Sequence, residues 1–175
     1  MTAALVAIGT NLGDRYANVA SALRGLQVIA RTSLTGRSAL YETAPVGGPD
    51  NQGPFLNAVV SVETALSAAA LLAALHGIEQ GRGRERVVRW AARTLDLDLL
   101  TFGEAVSDDP ALMLPHPRMH ERRFVMVPVC DLVPGIRHPK LGVSMAELLV
   151  RLPVEPGDLT MIDGAWGEPV PELSA

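Results

Sequence analysis

The sequence is poor in several features that would mark a protein class at once. It holds a single cysteine, Cys130, in 175 residues, so no internal disulfide can form and the chain must hold together by its core. That usage fits a reducing compartment. Aromatic residues are scarce, at two Trp, two Tyr and three Phe, and none sits in the aromatic-basic strand that an RNA-recognition domain requires. No apolar run approaches the ~20 residues that cross a bilayer. The opening Met1-Thr2-Ala3-Ala4-Leu5-Val6 lacks the basic segment of a secretory signal and leads straight into a strand pattern, so a cytoplasmic location is expected. The net charge of −4 speaks against bulk nucleic-acid binding, which needs a positive surface to displace counterions.

What is present is the composition of a globular enzyme-sized unit. Hydrophobic residues reach 48% against 19% charged, enough to bury a core in one domain of this length. A single domain over residues 1–152 is expected, with an irregular tail over 153–175 that carries four prolines before Ser174 and no clear period. Ala3 to Gly9 reads as a buried strand. From Asp14 onward Tyr16, Val19, Leu23, Leu26 and Ile29 recur at helical spacing. Leu34 to Glu42 is a weaker strand, broken by Gly36, and Thr43 to Pro54 is a loop rich in Gly and Pro. Phe55 to Val62 predicts a strand. Ser67 predicts the cap of a helix running to Gln80, and Thr94 to Phe102 predicts a further strand. Apolar residues 124–132 and a segment near 144–152 predict two more helices. The order is β-α-β-β-α-β, an α+β, ferredoxin-like arrangement with additional C-terminal helices.

The sharpest chemical feature is Arg93-Thr94-Leu95-Asp96-Leu97-Asp98-Leu99-Leu100. On a strand, Leu95, Leu97 and Leu99 face one way and Asp96 and Asp98 the other. With a rise of ~3.3 Å per residue, the carboxylates start roughly 6.6 Å apart and their side chains can converge on magnesium. A bare D-x-D on a strand is more often an exposed edge with two solvated charges; here the flanking leucines and arginine favour a half-buried pair, which needs a cation to relieve its repulsion. Five of the fifteen basic residues, Arg82, Arg84, Arg86, Arg89 and Arg93, crowd one stretch. A solvated basic loop is the commoner meaning of such a run. Beside paired carboxylates, however, guanidinium groups are the usual equipment of phosphoryl transfer. Gly81 and Gly83 would let the segment act as a lid.

A third cluster, Pro115-His116-Pro117-Arg118-Met119-His120, holds two histidines four apart. Pro117 between them and the lack of a third soft ligand argue against zinc; phosphate contact by His116 with Arg122 is the stronger reading, with a structural turn histidine as the alternative. Phe55 and Phe124 each border a polar segment. They could stack a flat heterocycle whose edge pairs with Asn57, although ordinary core packing is the more frequent fate of two phenylalanines.

Together these stretches resemble the 6-hydroxymethyl-7,8-dihydropterin pyrophosphokinase family of folate biosynthesis. The likeness runs from Ile8-Gly9-Thr10-Asn11-Leu12-Gly13 through Tyr41-Glu42-Thr43-Ala44-Pro45, Phe55-Leu56-Asn57, Ile78-Glu79 and Gly83-Arg84-Glu85-Arg86. It continues through Arg89-Trp90, the R-T-L-D-L-D stretch, Pro115-His116-Pro117-Arg118-Met119 and Arg122-Arg123-Phe124, covering roughly residues 1–150. The resemblance implies a monomeric enzyme that moves diphosphate from ATP to 6-hydroxymethyl-7,8-dihydropterin, with neither nucleic acid nor membrane as partner. It implies that Asp96 and Asp98 hold two magnesium ions. It implies pterin contacts from Thr43, Ala44, Val46, Phe55, Asn57 and Phe124. Nucleotide contacts would come from His76, Glu79, Arg86, Trp90, Arg93, Leu99, His116 and Arg122, with Arg84, Arg86 and Arg93 acting in catalysis and Arg84 and Trp90 on a closing loop. Four positions depart from the family pattern: Ala91-Ala92 stand for Gly-Pro, Phe55 for tyrosine and His76 for glutamine.

Two other classes remain to be weighed at this point. A nucleotidyltransferase also uses paired aspartates, but it would place Gly-Ser shortly before the D-x-D, whereas Gly9-Thr10 lies far upstream. A non-enzymatic ferredoxin-like binding module would leave Asp96, Asp98 and the arginines without a purpose.

Overall fold

Strands and helices alternate through the first hundred residues because the apolar side chains switch between a period of two and a period near 3.6. The computed structural model describes residues 1–45, 52–81, 94–155, 158–164 and 166. Strand β1 (Thr2–Thr10) leads into helix α1 (Arg15–Gln27), whose first turn is closed by Asp14 accepting from the Ala17 amide. β2 (Thr32–Arg37), β3 (Leu40–Thr43) and β4 (Phe55–Thr64) follow, then α2 (Ala68–Gln80), capped by Ser67 through the Ala70 amide, and β5 (Asp96–Phe102).

The sheet is antiparallel, ordered β5-β1-β4-β3, with β2 also pairing β4. β2 and β3 are one strand interrupted, and the interruption falls at Ser38–Ala39, not at Gly36. Gly36 sits at a bulge instead. A Cβ there would come within 2.7 Å of Ser61 Oγ and 3.2 Å of Leu132 Cδ2, so only glycine admits that approach. At the break, Ser38 replaces the ladder with its side chain: its amide donates to the Val59 carbonyl and its Oγ accepts from the Val59 amide.

A hairpin of β6 (Ser107–Asp109) and β7 (Leu112–Leu114) precedes helices α3 (Arg123–Leu132) and α4 (Met145–Val150). The sequence pattern misses this hairpin because each strand is three residues long. Ser144 and Glu147 form a reciprocal capping box at α4. The expectation of an irregular tail over 153–175 is corrected by a final strand, β8 (Leu159–Asp163), which pairs antiparallel with β3, and by Trp166, buried in the core. An edge strand exposed along most of its length shows no alternation in sequence, which is why the pattern hides it.

Two cores lie on opposite faces of the sheet. Ala4, Val6, Ile8, Leu56, Ala58, Val60, Leu97 and Leu99 pack under α1 and α2. Leu5, Val59 and Leu100 pack with Met119, Val125, Met126 and Val129 under α3 and α4. The fold is therefore a mixed α/β one, an antiparallel sheet with helices on both sides. Among the described residues no helix is long and apolar enough to cross a membrane.

Candidate active site

Residues directly opposite in an antiparallel ladder share a face, so the registers fix what meets what. Asp96 pairs with Gly9, Gly9 with Asn57, and Asn57 with Tyr41. These four form a row across the sheet on the α3 side. Asp98 lies two residues along, opposite Ala7, and Phe55 opposite Thr43 continues the same face. At this end of the sheet the apolar cluster gives way to polar groups. Asp96 and Asp98 are half-buried, as are Phe55 and Phe124, while Thr43 and Asn57 are buried. Gly9 contributes only backbone to the floor. A Cβ there would stand 3.6 Å from Asn57 Oδ1 and 3.9 Å from Asp96 Cβ, so glycine keeps the space between the two side chains open.

The surroundings hold these groups in place. Asn57 Nδ2 donates to Thr43 Oγ1 at 2.7 Å. Glu79, from α2, accepts the Leu97 amide at 2.7 Å, anchoring the edge strand between its two aspartates. Thr10 Oγ1 donates to the Thr94 carbonyl at 2.6 Å, and Asn18 Nδ2 donates to Thr10 Oγ1 at 3.2 Å and to the Leu12 carbonyl at 2.9 Å. Asn11 reaches Gln52 and Gly53, and Arg15 reaches Glu42 and the Pro54 carbonyl, tying the approach to β4 to the turn after β1.

His116 joins the carboxylates from the other side of β5. Its amide donates to the Leu100 carbonyl at 2.8 Å, and its Nδ1 accepts from the Arg118 amide at 3.3 Å. Burial lowers its pKa; Asp98 and Asp96 pull it up, and Arg122 and Arg118 push it down. The imidazole thus lies in the joint field of both aspartates and Arg122. Arg122 in turn stands over the Phe124 ring, 5.6 Å from its centroid. His120 does not pair with His116; it packs edge-on against His138, ring centroids 5.4 Å apart.

Of the residues singled out from sequence, Asp96, Asp98, Asn57, Thr43, Phe55, His116, Arg122 and Phe124 belong to this face or its rim. Ala44 follows Thr43, exposed. Leu99 and Glu79 are elsewhere: Leu99 is buried in the core under α1 and α2, and Glu79 is 2% exposed beneath β5. His76 is half-buried on α2. Val46, Arg84, Arg86, Trp90 and Arg93 lie outside the described residues. The row also contains residues given no role from sequence, Gly9 and Tyr41. Tyr41 is buried and donates its hydroxyl to Asp131 at 2.8 Å; burial, then that bond and the charge of Asp131, raise its pKa well above the usual phenol value. A glycine opposite both an aspartate and an asparagine becomes visible only once the register is known.

Chemically, this arrangement offers hard oxygen donors on a shared face, an imidazole and a guanidinium beside them, and a polar amide with two aromatic rings. The two carboxylates suit magnesium, which takes one or two protein carboxylates and fills its other positions with water and phosphate oxygen.

Residues 5–134 match the family model described as 7,8-dihydro-6-hydroxymethylpterin-pyrophosphokinase (HPPK). A 2-amino-4-hydroxy-6-hydroxymethyldihydropteridine pyrophosphokinase of Pseudomonas aeruginosa is 42% identical over 150 residues, covering 86% of this chain and 91% of the relative. The enzyme of the same name from Bacillus subtilis is 42% identical over 129 residues, covering 74% and 77%. Among solved structures, Plasmodium falciparum HPPK-DHPS superposes with a TM-score of 0.66 at 14% identity, over 86% of this chain and 44% of that one. At that identity the likeness concerns the fold, and the chain spans less than half of that longer protein.

Proposed function

We propose a diphosphate transfer from ATP for this chain, which belongs to the 7,8-dihydro-6-hydroxymethylpterin-pyrophosphokinase family. The acceptor is the hydroxymethyl group of 6-hydroxymethyl-7,8-dihydropterin, and the products are AMP and the pterin diphosphate, a step of folate biosynthesis. The observation that carries this reading is the shared face of Asp96, Asp98, Gly9 and Asn57, with His116 and Arg122 at its rim. A bond forms between the hydroxymethyl oxygen and the β-phosphorus. The bond from that phosphorus to the oxygen bridging it to the α-phosphate breaks, and AMP leaves with that oxygen while the hydroxyl proton is released.

Asp96 and Asp98 would hold two magnesium ions, whose chemistry when bound is to neutralise the triphosphate and orient it. Everything else is the chain's own work. His116, whose Nδ1 accepts from the Arg118 amide, offers its Nε2 to a phosphate oxygen, and Arg122 adds a fixed positive charge. Asn57, oriented by Thr43, pairs with the pterin edge, and Phe55 and Phe124 stack on its faces. Ala44 and Val46 extend that pocket. Arg84, Arg86, Trp90 and Arg93 are assigned to the nucleotide and its closing loop on the family pattern, and His76 and Glu79 to the nucleotide on the same pattern. Because Leu99 is buried, it meets the nucleotide through its main chain. Catalysis rests on positioning and charge stabilisation, with no covalent intermediate on the protein.

The strand order β5-β1-β4-β2/β3, antiparallel throughout with α1 and α2 on one face, supports a ferredoxin-like core. We read residues 1–152 as one catalytic unit, monomeric and cytoplasmic, to which the last strand is appended. The test is product analysis: with ATP, magnesium and hydroxymethyl-dihydropterin, the protein yields AMP and the pterin diphosphate. Release of ADP, or no turnover, would overturn the reading.

A further inference from the structure

The stretch after α4 touches the site region at two separate points and the β2–β3 junction at a third. Asp158 Oδ2 accepts from Arg123 Nε at 3.0 Å, and both side chains are half-buried, at 27% and 23% exposure. Arg123 opens α3, one residue before Phe124 and one after Arg122. The next residue, Leu159, pairs with Thr43, and the pairing runs on through Thr160 with Glu42 and Met161 with Tyr41. The segment ends on Trp166, 6% exposed, whose indole N–H donates to the Ser38 carbonyl at 2.8 Å. Ser38 is the residue that interrupts β2 and β3 and fixes that break to Val59.

Lengths show what this accomplishes. At ~1.5 Å per residue, α3 advances about 12 Å from Arg123 to Asp131. At ~3.3 Å per residue, Ala39 to Thr43 covers about 13 Å. The helix therefore lies alongside β3, in the opposite direction and nearly matched in length. One end is pinned by Asp131, which accepts from the Ala39 amide at 3.1 Å and the Tyr41 hydroxyl at 2.8 Å. The other end is pinned through Asp158, since Asp158 holds Arg123 while its neighbour Leu159 holds Thr43. Thr43 and Phe124 belong to opposite walls of the pterin pocket proposed above, one on the sheet and one on the helix.

We propose that residues 158–164 and Trp166 act as a strap that sets the separation of those two walls, with Asp158 and Trp166 as positioning residues for the pterin. Asp158 couples the helix wall to the sheet wall. Trp166 anchors the far end of the strap so that β8 stays in register on β3. Asp158 acts through Arg123 and Trp166 through Ser38, not through the paired aspartates or His116, so their loss falls more heavily on the pterin than on the nucleotide. The inference rests on the diphosphokinase reading, and its test separates the two.

Wild type, Asp158→Asn, Trp166→Phe and the charge-swapped Arg123→Asp/Asp158→Arg pair are compared in steady-state turnover, varying pterin and ATP in turn, with melting recorded for each. Asp158→Asn keeps the shape and removes the charge; the expected result is a rise in pterin KM of about 5- to 10-fold, with ATP KM within about 2-fold of wild type. Trp166→Phe keeps an aromatic side chain but loses the N–H and part of the buried volume, and shifts pterin KM in the same direction by a smaller factor. The charge swap recovers most of the loss, which assigns the effect to the pairing of the two side chains. Wild type that turns over, with variants at wild-type pterin KM or with both KM values raised equally, would overturn the strap while leaving the enzyme reading intact. A wild type that makes no AMP would overturn both.

Discussion

On the face of the sheet under α1 and α2, the middle of each strand is aliphatic: Ala4, Val6 and Ile8 on β1, Leu56, Ala58, Val60 and Val62 on β4, Leu97 and Leu99 on β5. On the face under α3, the same strands begin alike, with Leu5, Val59 and Leu100, and then change to Asp98, Asp96, Gly9 and Asn57. One strand such as β5 serves both: Leu97 and Leu99 build a core while Asp96 and Asp98 face the other way. Strand alternation makes this separation possible, because a charged side chain on one face costs nothing in packing on the other. The helices follow suit. α1 and α2 cover their face, whereas α3 begins at the polar end and places Arg122 and Phe124 at its rim.

This contrast can be broken by substitution, and the largest effect is expected at the paired carboxylates. Asp98→Asn should reduce turnover by about three orders of magnitude, the scale of losing one charge-stabilising group in a transition state, while the melting temperature stays close to wild type. Turnover assays at saturating magnesium, paired with calorimetric melting, check this; near-normal rates would remove the carboxylates from the mechanism. Next in size is Gly9→Val. Its branched side chain would fill the gap between Asn57 and Asp96 and should slow turnover by about 10²-fold through misplacement of the reacting groups. A fully active Gly9→Val would show that the floor need not be open.

Asn57→Ala should weaken pterin binding by about 1–3 kcal/mol, the cost of an unpaired buried polar group, and leave ATP binding alone unchanged. Titration calorimetry with each ligand separately decides it.

The smallest effect sharpens the comparison away from the site. His138 is buried and its pKa is depressed from 6.5, by burial first and then by His120. Its Nδ1 accepts from the Lys140 and Leu141 amides. In the unfolded chain the ring protonates more readily than in the folded one, so the unfolded state binds more protons and stability falls as pH drops below 6.5. His138→Gln should flatten that acid limb in denaturant titrations between pH 7 and pH 5, and an unchanged slope would place the sensitivity elsewhere.

How much of this was legible in the sequence follows from the same physics. α2 announces itself through Ser67, which caps it as a short polar side chain should, and Asp14 and Ser144 cap α1 and α4 in the same way in the structure. The opposite facing of Leu95, Leu97 and Leu99 against Asp96 and Asp98 needs only the strand period, and the structure has it. What sequence could not give is register. Nothing local says that Gly9 stands between Asp96 and Asn57, or that Asp131 closes on Tyr41, because those pairings join residues far apart in the chain. The final strand was hidden for another reason: β8 pairs along one edge and leaves Met161 and Ile162 exposed, so it carries no alternation to read. Ser38, not Gly36, ends the second strand because a serine side chain can satisfy Val59 where glycine merely bulges.

Two consecutive residues hold the whole comparison. Asp96 is half-buried on the chemical face, and Leu97, 1% exposed, is in the opposite core. Asp96→Asn and Leu97→Ala, measured side by side for turnover per folded molecule and for unfolding free energy, test the division of the sheet most directly. Asp96→Asn should all but abolish AMP formation at nearly unchanged stability, and Leu97→Ala should cost about 2–5 kcal/mol of stability while the molecules that remain folded turn over within a few-fold of wild type. Equal losses of activity and stability in both variants would contradict the separation of chemistry from core on which the account depends.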